Sequence, residues 1–405
     1  MFELVAKKNT ARSGQIKTKN GVLRTPFFMP DATRGFVKSL DRDDLVAVGV
    51  SPMVVNTYHL YLQPGTELIK NIGGIHQFMH WNAPILSDSG GYQVFSLIHK
   101  NPEMGKITDE AVIFKSPLDG STHVISPEKS IQIQFDLGVD MMVVLDDVPP
   151  NSYSKEKIRD AVERTILWAE RCKIEYEKQI KARKIPPKDR PLIFGVIQGG
   201  GHADLRKYCA EKLIEIGFDG YGFGARHVDA DGNFMEEVVR ETAKLIPEHA
   251  LRFALGVGTP EDIVKFVNCG WDMFDCVIPT REGRHGRLFL RKSNFQFSIF
   301  PLRDKLAAKN FQSIRNDQIF NDETNADAET FYETININNG KFREDFSPID
   351  ANCDCQLCRN YSRAYLRHLF AMKDPIAMRL SAIHNLKFYM DLMEEIRVEI
   401  VRIRN

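Results

Sequence analysis

No apolar run in this chain of 405 residues reaches membrane-spanning length, so none of its segments is expected to cross a bilayer as a helix. The first residues, Met1 to Lys8, show neither the apolar core of a secretory signal nor an Arg-rich amphipathic presequence. Net charge is also lacking: 54 Lys and Arg balance 54 Asp and Glu, so any contact with nucleic acid must rest on a local patch. No Gly-x-Gly-x-x-Gly turn follows the first strand candidate, which argues against a doubly wound dinucleotide-binding sheet. Internal repeats and low-complexity tracts are missing. Cysteine is scarce, and four of the seven, Cys172, Cys209, Cys269 and Cys276, stand alone, as in a protein of the reducing cytoplasm.

The other three cysteines fall within six residues, as Cys353-x-Cys355-x-x-Cys358. Thiols spaced this way can wrap one ion from a single loop. A fourth ligand must then come from another element, and His384 offers it from within a long apolar-periodic segment, Asp374 to Arg404. Three thiolates and an imidazole make a closed, tetrahedral structural zinc site, with one Zn2+ expected per chain. An iron–sulfur cluster of the radical type ranks far behind, because its thiolates are as a rule more widely spaced and it uses no His. A closed site holds structure, so the chemistry lies upstream.

Upstream, short apolar runs alternate with amphipathic stretches. The strand candidates are 27–29, 53–55, 84–86, 141–145, 192–197, 220–223, 253–255 and 273–277. Helical patterns at 155–181, 203–216, 236–246 and 260–268 lie between the later ones. Eight such alternations predict an α/β fold, a (β/α)8 TIM barrel of parallel strands. Residues 1–26, with the turn Lys19-Asn20-Gly21, read as an N-terminal β-hairpin or sheet capping the barrel floor. Residues 27–292 and 336–405 form the barrel, with a helical zinc-binding subdomain at about 345–405. Residues 293–335, rich in Asn, Asp and Phe, read as an insertion of unknown structure. The basic patch sits beside it: residues 281–315 hold nine Lys or Arg against two acids.

In a TIM barrel the active site lies at the C-terminal ends of the strands. The third strand candidate runs into Ser87-Asp88-Ser89-Gly90-Gly91-Tyr92, the fourth into Asp146-Asp147 and the fifth into Gln198. The sixth ends at Gly224-Ala225, the seventh at Gly256-Val257-Gly258, and the eighth carries Asp275. Each alone is an ordinary turn or helix cap. Together they bring three carboxylates and a Gln to one rim, with glycines that let a ligand approach the backbone. One carboxylate can attack an anomeric carbon, and a second can serve as general acid and then base. A third, with a Gln amide, is suited to a purine edge. Beside a basic patch, this set points to glycosyl chemistry on a base flipped out of a nucleic acid.

Several blocks carry a closer likeness: Asn56-Thr-Tyr-His-Leu60, Ser87 to Val94, Gly256-Val-Gly258, Asp272 to Val277 with Pro279-Thr-Arg281, the three-cysteine loop, and Ser362-Arg-Ala-Tyr365. On these the sequence resembles the tRNA-guanine transglycosylases. They exchange a guanine of tRNA for a 7-deazaguanine base on the path to queuosine. The resemblance implies Asp275 as nucleophile and Asp88 as general acid/base. Ser89, Gly90, Gly91 and Tyr92 line the pocket, with Tyr92 stacking on the base. Asp146 and Gln198 read the base edge, Gly224 and Ala225 donate to its carbonyl, and Leu255 lies opposite Tyr92. Gly256, Val257, Gly258, Thr259, Pro260, Glu261 and Asp262, with Thr280, Arg281, Glu282, Gly283 and Arg284, hold the anticodon loop. The resemblance further implies a homodimer in the cytoplasm.

The chain departs from the usual bacterial pattern near the base. Gly224-Ala225-Arg226-His227-Val228 replaces two glycines followed by small or apolar residues, Val148 stands where a Cys is common, and Leu255 stands for a Met. An outward Arg226 is expected, because a buried unpaired guanidinium is costly. A non-catalytic accessory subunit would tend to lose the carboxylates that are kept here. A paralogue acting on DNA would not need Pro279-Thr-Arg281.

Overall fold

The computed structural model describes residues 2–229, 231–292 and 330–402. Eight parallel strands form one sheet: Phe27–Pro30, Met53–Asn56, Ile85–Asp88, Met141–Val143, Leu192–Ile197, Gly220–Phe223, Leu251–Ala254 and Met273–Cys276. In chain order each pairs with the next, except that the first pairs with the eighth. The ring closes between the first two strands through a parallel bridge from Asp31 to Val54, with Ala32 N donating to Val54 O at 2.7 Å. This is the expected barrel.

Alternation along the strands sorts their side chains. Phe27, Met29, Val54, Leu86, Met141, Val143, Phe194, Val196, Phe253 and Met273 fill the interior, joined by Phe2, Ile16 and Leu23 from the N-terminal segment. The intervening residues, such as Phe28, Val55, Ile193 and Phe274, join the larger core under the helices. Helix starts are specified locally. Ser154 caps Lys155–Ala182, Thr259 caps Pro260–Asn268 with Pro in the first turn, and Asp374 caps Pro375–Val401 likewise.

The N-terminal segment is a three-stranded antiparallel sheet, Phe2–Lys8, Ala11–Thr18 and Gly21–Thr25, larger than the hairpin read at Lys19-Asn20-Gly21. It seals the floor. Arg12, fully buried, pairs with the equally buried Asp272 just before the eighth strand and also donates to Glu248 O and Ala250 O. Asn20 binds Asp140 just before the fourth strand. A second antiparallel sheet, Gly105–Ile107, Val112–Lys115 and Thr122–Ile125, follows helix Gly91–Lys100. The sequence reading did not anticipate it. Its strands of three or four residues alternate too briefly to register as a period.

After the eighth strand a short helix, Ile278–Arg284, leads into strand Arg287–Arg291. That strand pairs antiparallel with Tyr332–Asn336. Residues 330–335, the end of the segment read as an insertion, therefore enter this hairpin; 293–329 lie outside the described residues, as does the corresponding part of the basic stretch. The C-terminal helix Pro375–Val401 then returns to the barrel, where the Tyr389 and Phe28 rings lie 4.9 Å apart. Of its expected apolar seam, Leu386, Tyr389, Met393, Ile396 and Ile400 are buried, and Ile403 lies outside the described residues. Among the described residues no helix is long and apolar enough to cross a membrane.

Removing one partner of a buried ion pair leaves the other charge stranded. Arg12→Met is expected to cost about 3–5 kcal/mol by exposing Asp272 to that fate. The double variant Arg12→Met/Asp272→Leu should recover much of the loss. Urea denaturation of the three proteins checks this; equal destabilisation of the single and double variants contradicts it.

Candidate active site

The interior alternation continues past the last apolar layer. Two residues beyond Met29, Val54, Leu86, Val196, Phe253 and Met273 come Asp31, Asn56, Asp88, Gln198, Leu255 and Asp275. Strand geometry therefore delivers five polar residues and Leu255 directly above an apolar layer. Two of these six, Asp31 and Asn56, were given no role from sequence. Counting two residues on from Met29 and from Val54 would have found them.

Asp88 is the most heavily held. Its carboxylate accepts from Asn56 Nδ2 at 2.6 Å, from the Thr57 amide at 3.1 Å and from the Gly90 amide at 3.1 Å. Burial pushes its pKa up to about 7, the Thr57 and Gly90 amides oppose this, and the charges of Asp31 and Asp275 add to it. Gly90 must be glycine: its φ is 77°, and a Cβ would come 2.8 Å from Tyr58 N. Gly91 opens helix Gly91–Lys100 against the end of the fourth strand, where a Cβ would lie 3.2 Å from Asp146 O. Ser89 is buried, with Oγ accepting from the Gly91 amide at 3.3 Å. Tyr92, the next residue, is 63% exposed, a ring available to a ligand.

Asp275 contrasts with Asp88. Its Oδ1 accepts from Gly256 N at 2.8 Å, and no described residue donates to Oδ2. Burial raises its pKa to about 7; the Gly256 amide works against this and Asp31 with it. Gly258 packs on the adjacent Cys276, where a Cβ would come 2.1 Å from that of the cysteine, and its carbonyl accepts from Tyr389 Oη at 2.6 Å. Val257 is buried in the same loop.

Across the rim Gln198 Nε2 donates to Asp146 Oδ2 at 2.7 Å, while Gln198 Oε1 is buried with no partner among the described residues. An unsatisfied buried acceptor beside a carboxylate is a ready match for N–H groups of a ligand. Asp146 too is pushed to about 7, by burial first, with Gln198 opposing and Asp147 adding. Asp147 is turned away, paired with Arg164 at 2.6 Å. Gly224 lies against Gln198, where a Cβ would come 2.4 Å from the amide nitrogen, and Ala225 holds a φ of 69°. Arg226 is exposed. His227 turns to Asp262 at 3.2 Å and sits beside the Phe234 and Phe266 rings. Leu255 fills the space that a side chain on Gly222 would need.

The remaining expected residues surround this layer. Thr259 Oγ1 accepts from the Asp262 amide at 3.2 Å, and Pro260 and Thr280 are buried. Glu261 is hydrogen-bonded to Tyr332, and burial raises its pKa. Arg281 lies 3.4 Å from Glu282, and Arg284 Nη1 is buried with no partner among the described residues. Gly283 touches the C-terminal helix, a Cβ there coming 2.8 Å from the Ser381 carbonyl.

Away from the rim, the ligand atoms of Cys353, Cys355, Cys358 and His384 lie within 4.8 Å of one another. His384 Nδ1 is 3.3 Å from Cys358 Sγ and 3.6 Å from Cys355 Sγ. Its Nε2 lies 2.8 Å from Phe289 O, so Nε2 carries the proton and Nδ1 turns its lone pair toward the thiols. This donor set can hold a metal ion and fits tetrahedral zinc.

The three rim carboxylates bind protons more tightly folded than unfolded. Each therefore contributes stability at low pH that is lost as pH rises from about 4 through about 7. Asp275→Asn keeps an acceptor for Gly256 N and abolishes this loss. Its melting temperature relative to wild type should rise between pH 5 and pH 8.5. A difference that stays constant across that range contradicts the buried-acid account.

A family model described as Queuine tRNA-ribosyltransferase matches residues 7–404. Curated relatives bearing that name include a protein of Halothermothrix orenii, 41% identical over 96% of this chain and 89% of the relative. Those of Thermodesulfovibrio yellowstonii, covering 100% and 92%, and of a Roseiflexus species, covering 96% and 93%, are each 40% identical. With a match of this length, and with the rim carboxylates and the thiol–imidazole cluster both assembled, the chain belongs to the queuine tRNA-ribosyltransferase family of pentosyltransferases.

Proposed function

We propose that this enzyme exchanges the wobble guanine of a tRNA anticodon for a 7-deazaguanine base through a covalent ribosyl–Asp275 intermediate. The carrying observation is the asymmetry of the two acids. Asp275 has one carboxylate oxygen fixed by Gly256 N and the other without a donor among the described residues, whereas Asp88 is held by Asn56, Thr57 and Gly90. A nucleophile needs a free oxygen, and a proton shuttle needs a fixed position and a pKa near neutrality. Asp275 attacks C1′ of the ribose as the bond to guanine N9 breaks, and Asp88 supplies the proton that the leaving base takes up. Asp88 then accepts the corresponding proton of the incoming base as that base displaces Asp275 from C1′.

Recognition follows from the same layer. Asp146 accepts N–H groups of the base edge, Gln198 Oε1 finds its missing donor there, and Gly224-Ala225 donates to the base carbonyl. Ser89, Gly90 and Gly91 form the wall, Tyr92 stacks on the base, and Leu255 faces it. The loops Gly256 to Asp262 and Thr280 to Arg284 hold the anticodon loop. Zinc in the Cys353, Cys355, Cys358 and His384 site braces the subdomain at about 345–405. Exposed Phe346, Tyr365, Met372 and Ile376 on that subdomain support a homodimer. A tRNA substrate and the isolated cysteines Cys172, Cys209, Cys269 and Cys276 support a cytoplasmic enzyme.

Asp275→Asn should abolish exchange, a loss on the order of 5 kcal/mol or more in transition-state stabilisation. Wild type should give an enzyme–RNA adduct that survives a denaturing gel; an adduct persisting in the variant removes Asp275 from this role. Zinc should be found at one ion per chain, and Cys355→Ser should yield insoluble or dissociated protein. Metal-free wild type with full activity overturns the zinc assignment. Changing Arg281 and Arg284 together to Ala should weaken tRNA binding and flatten its salt dependence by roughly one to two counterions. An unchanged salt slope assigns both side chains to the fold alone.

A further inference from the structure

Arg206 lies in the first turn of helix Ala203–Ile216, fully buried and with no carboxylate partner among the described residues. Its guanidinium sits 4.0 Å over the Phe223 ring. Nε donates to Gly200 O at 2.6 Å, Nη1 to Ile197 O at 3.3 Å and Nη2 to Gly224 O at 3.0 Å. A buried cation without an anion is expensive, and burial lowers its pKa to about 9. Three carbonyls in three directions match the planar fork of arginine and no other side chain.

Those carbonyls belong to the two loops that carry the base-reading groups. Ile197 and Gly200 bracket Gln198, and Gly224 precedes Ala225. A trans peptide is planar, with its carbonyl and N–H pointing opposite ways. Drawing the Gly224 carbonyl onto Arg206 therefore turns the Ala225 N–H away from the guanidinium. That N–H donates to no described residue. Ala225 also holds a left-handed φ of 69°, a conformation that a non-glycine residue adopts only under constraint.

We propose that Arg206 is a positioning residue that locks the Gly224–Ala225 peptide with its N–H presented to the base, so that the pocket selects bases bearing a carbonyl oxygen at that point. This rests on the transglycosylase reading. Arg206 never touches the base. Its effect is carried by the peptide, and it separates an oxo-purine from an analogue in which that oxygen is replaced by hydrogen.

The experiment compares wild type, Arg206→Lys and Phe223→Leu in exchange of labelled guanine into tRNA, with 2-aminopurine as competing inhibitor. In Arg206→Lys the KM for guanine should rise roughly tenfold, the effect of one lost hydrogen bond to a carbonyl. The inhibition constant of 2-aminopurine, which lacks the oxygen, and the KM for tRNA should stay within about twofold. Phe223→Leu keeps the guanidinium but removes the ring beneath it. It should move the guanine preference the same way by a smaller factor, and it serves alone if the lysine variant does not fold. Equal weakening of guanine and 2-aminopurine, or an unchanged preference in the variants that fold, overturns the proposal. Wild type that exchanges no guanine at all refutes the transglycosylase reading instead.

Discussion

The contact on which most of this molecule depends is the one where the C-terminal helix meets helix Ile278–Arg284. Gly283 has no side chain, and the backbone at Ser381 occupies the space a Cβ would need. That closeness lets one stretch of helix serve three places. His384 faces the thiols, Asn385 bonds Pro279 O and Arg287 O at 2.9 Å each, and Tyr389 holds Gly258 O. The thiol–imidazole cluster, the segment after the eighth strand and the loop that donates to Asp275 are thus referenced to one rigid rod. A structural metal remote from the chemistry can in this way govern the precision of a rim it never touches.

The rim carries an electrostatic cost that the floor does not. At the floor, Asp272 is buried against Arg12 and Asp140 is bonded to His76, Asn20 and the Ile85 amide. Both are carboxylates with ordinary structural partners. At the rim, Asp146 is buried and Asp88 and Asp275 are half-buried, none has a cationic partner among the described residues, and their proton affinity rises in consequence. The same barrel interior therefore stabilises one set of acids and strains another. Strain of this sort is a mark of a site built for a ligand that brings its own N–H groups.

Much of this was readable in the sequence, for reasons that can be named. Each barrel strand is an apolar run that ends at Gly, Pro or a polar pair. The fifth and sixth, and the helices Ala203–Ile216 and Pro260–Asn268, have the boundaries the pattern gives. Asp88, Asp275 and the cysteine loop announced themselves by local density of unusual residues. Asp31 and Asn56 did not, because a single Asp after Met-Pro or an Asn before a helix reads as a cap. Arg206 was invisible for another reason: in sequence it is one more cation on an amphipathic helix, and only the fold shows that it points inward. The strands between residues 105 and 125 were lost because three or four residues carry too little periodicity to separate strand from loop.

The order in which the parts of this barrel are made has a kinetic consequence. Phe28, in the first barrel strand, finds its Tyr389 partner only when the last helix docks, some 360 residues later in the chain (389 − 28 = 361). The first strand pairs with the eighth, so ring closure also waits for residues 273–276. During synthesis the floor sheet and the first seven βα units can assemble in turn, while an apolar seam beside Phe28 stays open until helix Pro375–Val401 leaves the ribosome. Folding of this kind is dominated by its longest-range contacts. The seam beside Phe28 is thus buried late, and until helix Pro375–Val401 docks it is an apolar surface of the kind that promotes aggregation.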